Sequence, residues 1–110
     1  MDRKLDNYAE IISNVVNEYA KYKPSYGEIE LQAICDRNCF LLLSFGWNGD
    51  RRVHSTMLHL RIAEGKIWIE RDETEEGITQ DLLDRGIDKA DIVLAFYHPE
   101  HRKLTDFAIA

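Results

Sequence analysis

The stretch Cys39-Phe40-Leu41-Leu42-Leu43-Ser44-Phe45-Gly46-Trp47, followed by Asn48-Gly49, decides how this chain folds. The run is apolar at both parities, with Phe40 and Leu42 on one side and Leu41, Leu43 and Phe45 on the other. A strand that hydrophobic is expected in the middle of a sheet with both faces largely covered, whereas an alternating strand leaves one face in water. Asn48-Gly49 is the strongest hairpin signal in the chain, because both residues accept the positive φ of a type I′ turn. Arg51 to Ile62 is therefore expected to return antiparallel. Its parity changes on the way: Val53 and Met57 are odd, whereas Leu58, Leu60 and Ile62 are even. A bulge near Ser55 to Leu58 reconciles the two halves.

The neighbouring segments extend this hairpin into a meander. Upstream, Ile29, Leu31, Ala33 and Cys35 alternate with Glu28, Glu30 and Gln32, the pattern of a strand with one wet face, and Asp36-Arg37-Asn38 turns it into the central run. Downstream, Glu64-Gly65 is a second tight turn and Lys66 to Glu70 a fourth strand, with Ile67 and Ile69 inward. Before the sheet, Leu5, Tyr8, Ile11, Ile12, Val15, Tyr19 and Tyr22 fall at spacings of three and four, the apolar stripe of an amphipathic helix. That helix stops before Pro24, which disfavours the α conformation at Lys23, and Ser25-Tyr26-Gly27 supplies turn residues. After the sheet, Asp72 with Glu75, or Thr74 alone, can cap a second helix whose buried stripe is Ile78, Leu82 and Leu83 and whose stop is Gly86. Ile92 to Tyr97 reads as a fifth strand or a short buried segment, and Phe107 and Ile109 as residues that pack down. The resulting class is α+β: an N-terminal helix on a four-stranded antiparallel meander, then a second helix and a short C-terminal strand or buried segment, in one domain spanning 1–110.

Composition sets the bounds on function. The chain has 110 residues, 45% of them hydrophobic, and 14 Lys+Arg against 20 Asp+Glu leave a formal charge of -6. A chain of this length buries roughly two-thirds of its unfolded surface, enough for one core without metal or disulfides. No window approaches the roughly 18 to 20 apolar residues of a membrane span, and MDRKLDNYAE lacks a signal-peptide apolar region, so a cytoplasmic protein is expected. Net acidity argues against sequence-independent nucleic-acid binding, which rests on basic groups that displace phosphate counterions. Cys35 and Cys39 are too few for a disulfide scaffold and are read as structural thiols across a hairpin.

No catalytic set stands out, and no cofactor or metal is expected. Asp72, Glu73, Glu75 and Glu76 are explained by capping and solvation at a helix start. His98-Pro99-Glu100-His101 reads as a solvated loop, because a zinc site needs more ligands at a different spacing. His54 and His59 have opposite parity and share a face only if a bulge intervenes. What remains is surface. Trp68 stands among Lys66, Glu70, His59 and Arg61, an aromatic-plus-Arg composition enriched at protein contacts. It is a candidate partner surface, unless the second helix or the C-terminal tail covers Trp68. Trp47, beside the turn, reads as a core anchor. Arg51, Arg52 and Arg61 on the third strand form a candidate nucleic-acid contact.

Several stretches in one order resemble the XisI-like family. They are Tyr22 to Glu30, Phe45-Gly46-Trp47 with Arg52-Val53, Gly65 to Ile69, Asp72-Glu73-Thr74-Glu75-Glu76-Gly77-Ile78 and Asp91 to Phe96, and together they span nearly the whole chain. The motif residues are Trp47, Arg52, Trp68, Asp72, Thr74, Glu75 and Gly77. Two departures stand out: family members often have Gly where this chain has Glu73, and Pro where it has Asp88. The resemblance implies an accessory factor controlling excision of the fdxN element, a DNA segment removed in differentiating cyanobacterial heterocysts. It also implies action beside a site-specific recombinase and the nuclease-like protein XisH, and it carries no catalytic residues across. A protein-contact regulator that reaches DNA through its partners is thus expected, a homo-oligomer being compatible. The alternative is direct sequence-specific DNA binding through the Arg51 to Arg61 strand.

Overall fold

The apolar stripe of the first segment forms α1 (Arg3–Ala20) in the computed structural model, which describes residues 3–24 and 27–110. Tyr8, Ile12, Val15 and Val16 are its buried residues. The helix ends two residues before Tyr22, whose ring is 65% exposed and so does not extend the stripe as its spacing predicts. The last turn tightens, with the Lys21 and Tyr22 amides donating to the carbonyls of Glu18 and Tyr19, and the chain leaves toward Pro24. Of the expected turn residues that follow, Ser25 and Tyr26 lie outside the described residues.

Four antiparallel strands come next, as the alternation predicts: β1 (Glu28–Cys35), β2 (Cys39–Asn48), β3 (Arg51–Ala63) and β4 (Lys66–Asp72). A fifth, β5 (Ile92–Leu94), pairs parallel with β4, so the sheet is mixed, in the order β1-β2-β3-β4-β5. A parallel neighbour needs a crossover connection. That connection holds α2 (Ile78–Asp84) and a single 3₁₀ turn at Lys89–Asp91. The ambiguous segment 92–97 thus divides: Ile92–Leu94 are buried strand, whereas the chain turns at Ala95 and leaves Phe96 and Tyr97 about half-exposed. A one-turn helix, α3 (Pro99–Arg102), follows. It stands where a solvated loop is expected: Pro99 starts it, because proline lacks only an N–H that the first turn leaves unpaired anyway, and His98 Nδ1 accepts the Glu100 amide.

The β2–β3 hairpin forms one residue later than the Asn48-Gly49 reading places it. Asn48 pairs with Arg51, so the loop is Gly49-Asp50. Gly49 has φ 67°, and Glu64 is the only non-glycine with positive φ among the described residues. Positive φ at the first central position alone belongs to the II′ turn. The I′ pattern occurs at Glu64-Gly65, with φ of 54° and 78°, between Ala63 and Lys66. The bulge inferred from parity is present: Leu42 pairs with Leu58 and Leu43 with Thr56, leaving Met57 as the extra residue. A second register shift in the β3–β4 pair leaves Glu70 extra on β4.

One face of the sheet packs against α1. Phe40 and Leu42, Leu58 and Leu60, Ile67 and Ile69, and Ile92 and Leu94 meet Tyr8, Ile12, Val15 and Val16 there, with Ile78 and Leu82 from α2 at one side. Phe107 packs against this core as expected, but Ile109 is 54% exposed. The two thiols are free. They sit on opposite faces of the first hairpin, Cys35 Sγ near Asn17 of α1 and Cys39 Sγ 3.9 Å from His59 Nε2.

Candidate partner surface

On the side away from α1, the register brings one residue from each strand into cross-sheet rows. Side chains alternate along a strand, so the partners of Leu41, Leu43 and Phe45 share their face. These partners are Ile34, Gln32 and Glu30 on β1 and His59, Thr56 and His54 on β3. The Met57 bulge is what places both histidines there: without it, their opposite parity would put His54 among the core residues. Leu41, Leu43 and Phe45 are half-buried, and none belongs to the core cluster around α1. Among the described residues no helix lies over them, and Ile34 beside them is 42% exposed. The doubly apolar run therefore has one face in the core and one face open. Its second parity, which predicts a covered strand, marks an uncovered surface instead.

The surface proposed from the sequence lies at the far side of this face, where Arg61, Glu70 and Trp68 come together. Arg61 Nε donates to Glu70 Oε2 at 2.7 Å, and the Arg61 guanidinium lies 5.5 Å from the Trp68 ring centre. From the other side, Arg102 of α3 lies 5.6 Å from the same ring, and Trp68 Nε1 donates to the Ala63 carbonyl. Lys66 lies two residue pairs away, at the start of β4. His59 is two residue pairs along β3–β4 in the other direction and contacts Cys39 instead. Arg102 also donates to the carbonyls of Ala95, Tyr97 and Ile109. It therefore holds the C-terminal segment over β4 and β5, where Ala108 bridges Val93 and its amide donates to Ile92. Val93 is fully buried by this layer although it points away from α1. The tail thus covers Trp68 and Val93 and leaves the β1–β3 part of the face open. Nothing in the residue pattern around Trp68 singled out Arg102, whose partners are all backbone groups and a ring.

Trp47 is not a core anchor. It is 48% exposed at the end of β2, on the face that points away from α1, and stacks with Arg52, whose guanidinium lies 5.4 Å from the ring centre. Arg52 also donates to the Gly46 carbonyl, and Arg51 is exposed next to the turn. Arg61 lies at the opposite end of β3 and is already ion-paired with Glu70, so the three arginines do not form one cluster.

The acidic motif is structural in its geometry. Asp72 Oδ2 accepts the Ile78 amide at 2.8 Å, and Oδ1 accepts the amide and hydroxyl of Thr74. Asp72 therefore caps α2 from six residues upstream, while Gly77, at φ 83°, is the residue before the helix and makes no side-chain cap. Glu75 is not part of the cap. It is exposed at the rim of a cleft of about 700 Å³ between α1, β1 and the β4–α2 loop. In that cleft Tyr19 donates to Asp81 Oδ2 at 2.7 Å, and burial, followed by this bond to a carboxylate, pushes its phenol up to about 12. At the other end of α1, Asp91 accepts from Tyr8 and from Lys4. Burial works to raise its carboxyl, but those bonds and the nearby lysines outweigh it and hold it below the usual carboxylate range.

Three comparisons bear on identity. The XisI protein family matches residues 1–109. Among solved structures the chain is similar to an XisI-like protein from Anabaena variabilis, at 30% identity and a TM-score of 0.88 over 96% of this chain and 99% of that one. It is similar also to the fdxN element excision controlling factor XisI from Anabaena variabilis, at 38% identity and a TM-score of 0.82 over 97% and 99% of the two chains. The search of functionally curated proteins gave no match. A family match over residues 1–109, with solved relatives at 30% and 38% identity covering nearly the whole of both chains, shows that this chain belongs to the XisI protein family.

Proposed function

We propose that this protein is a non-catalytic regulatory factor in the excision of a DNA element and works by protein contact. The observation that carries the reading is the open face of β2, where Leu41, Leu43 and Phe45 stand half-exposed in a chain of the family that includes an excision controlling factor. Apolar side chains clustered on one exposed face are the signature of a contact surface, whereas scattered ones are not. Several charged residues of the fold are engaged in caps and ion pairs, as Asp72, Asp91 and Arg61 are. The partners proposed are an XisH-like protein and the recombinase machinery, which supply the DNA contact.

Co-expression with the XisH-like protein tests this directly. The two are expected to purify together, and the chain alone is expected to leave duplex DNA unshifted at low salt. A second reading, direct DNA contact, is favoured by Arg51 and Arg52 standing exposed beside the β2–β3 turn. Under that reading the chain alone shifts duplex DNA, and Arg52→Ala lowers the salt slope of binding by about 1. That outcome, without co-purification, would replace the first reading.

A further inference from the structure

We infer that the occupant of the open β1–β3 face is a second copy of this chain, packed face to face about a two-fold axis running along β2. The inference rests on the contact-surface reading above and names its partner.

The argument is the charge order within the cross-sheet rows. In the row through Trp47 the residues are Glu28, Trp47 and Arg52, and in the row through Phe45 they are Glu30, Phe45 and His54. Each row reads acid on β1, aromatic on β2 and base on β3. A two-fold axis parallel to β2 keeps the position along the strand and exchanges the two flanks. Glu28 of one copy then faces Arg52 of the other, Glu30 faces His54, and Leu41 and Leu43 face themselves. An axis in the same plane but across the strands would instead set β1 over β1 and β3 over β3, so that no acid of one copy meets a base of the other. An isologous interface must be complementary to itself, and this face is so about one axis only. The partners are also available. Among the described residues neither Glu28 nor Glu30 makes an ion pair, and Arg52 is held over Trp47 rather than on a carboxylate.

The rest of the fold agrees. Sheets packed face to face sit about 10 Å apart with interdigitating side chains, which requires a face free of helices, and α1 and α2 both pack on the opposite side. The acidic run Glu73 to Glu76 lines the cleft on that opposite side, together with Glu18 and Tyr19 of α1, so the net negative charge does not concentrate at the interface. The C-terminal segment over β4 and β5 borders the open area without entering it.

Light scattering on the purified full chain, over a range of concentrations, reads the mass directly. Twice the 12.8 kDa of one chain is expected. Leu43→Asp is expected to give monomer with an unchanged far-UV spectrum. Glu28→Arg, at an exposed position, is expected to weaken association about tenfold, and adding Arg52→Glu to it is expected to restore the dimer. That rescue has no counterpart in a role confined to one chain. A single 12.8 kDa species at every concentration overturns the inference, as does a dimer indifferent to both Leu43→Asp and Glu28→Arg. If the chain is monomeric but Leu43→Asp abolishes co-purification with the XisH-like protein, the occupant is that partner and the contact-surface reading stands. If neither mass nor co-purification responds, both fail.

Discussion

At Asp72 one carboxylate satisfies the first amide of α2 and both donors of Thr74, and it does so from the end of a strand. The Ile78 amide it accepts belongs to a residue with no exposed surface. Asp72→Ala leaves that donor buried without a partner, which costs about 1 to 3 kcal/mol, against a few tenths for an ordinary surface change. Urea denaturation is the measurement, and Asp72→Asn, which keeps an accepting oxygen, is expected to lose less. Gly46 is the second residue with no room for change. Its φ is 143°, and a Cβ placed on it would stand 2.0 Å from the Glu28 carbonyl oxygen. Gly46→Ala must therefore push β1 off β2, and a loss of at least about 3 kcal/mol is expected in the same assay. The capping role of Asp72 could be anticipated from its place before an apolar stripe, but its reach could not. Local capping patterns pair residues three apart, whereas this cap spans six because the β4–α2 loop folds back on itself. Gly46 lies inside an apolar run and looks like an ordinary strand glycine until the edge strand is laid beside it.

Among the elements, the C-terminal segment depends on one side chain. Arg102 donates to three carbonyls of the residues flanking α3 and stacks on Trp68, so it joins the tail to the sheet. Arg102→Ala is expected to release the tail locally, costing about 2 kcal/mol. Hydrogen exchange at Ala108, whose amide donates to the Ile92 carbonyl, reports it while the amides of β2 and β3 keep their protection. Arg102→Lys is not expected to rescue, because an ammonium lacks the planar fork that reaches several acceptors and stacks on a ring. The first four strands were readable because each had a regular pattern bounded by turn residues, and even the Met57 bulge showed as a change of parity. β5 was not, because three buried residues carry no period. Its central residue, Val93, points away from α1, and only the tail laid across it explains its burial.

For the molecule as a whole, two bonds from α1 make stability depend on pH at both ends. Asp91 is held below its ordinary 3.8, so its contribution is present above that value and is lost as pH falls through the lowered one. Tyr19 is raised from 10.0 to about 12, so its contribution is present below pH 10 and is lost as pH rises from there to about 12. Thermal melts across pH are expected to show a plateau between those limits. Asp91→Asn flattens the acid limb and Tyr19→Phe the alkaline one. Both bonds join residues more than sixty positions apart, Tyr8 to Asp91 and Tyr19 to Asp81, so no spacing rule exposes them. The same division runs through the molecule. Local sequence determined the helix, the meander and its bulge, because apolar periodicity and turn chemistry act over a few residues. Tertiary structure alone decided which side of β2 stays open. An apolar strand reads the same whether its second face meets a helix, a tail or another chain, and only the placement of α1, α2 and the C-terminal segment leaves Leu41, Leu43 and Phe45 uncovered.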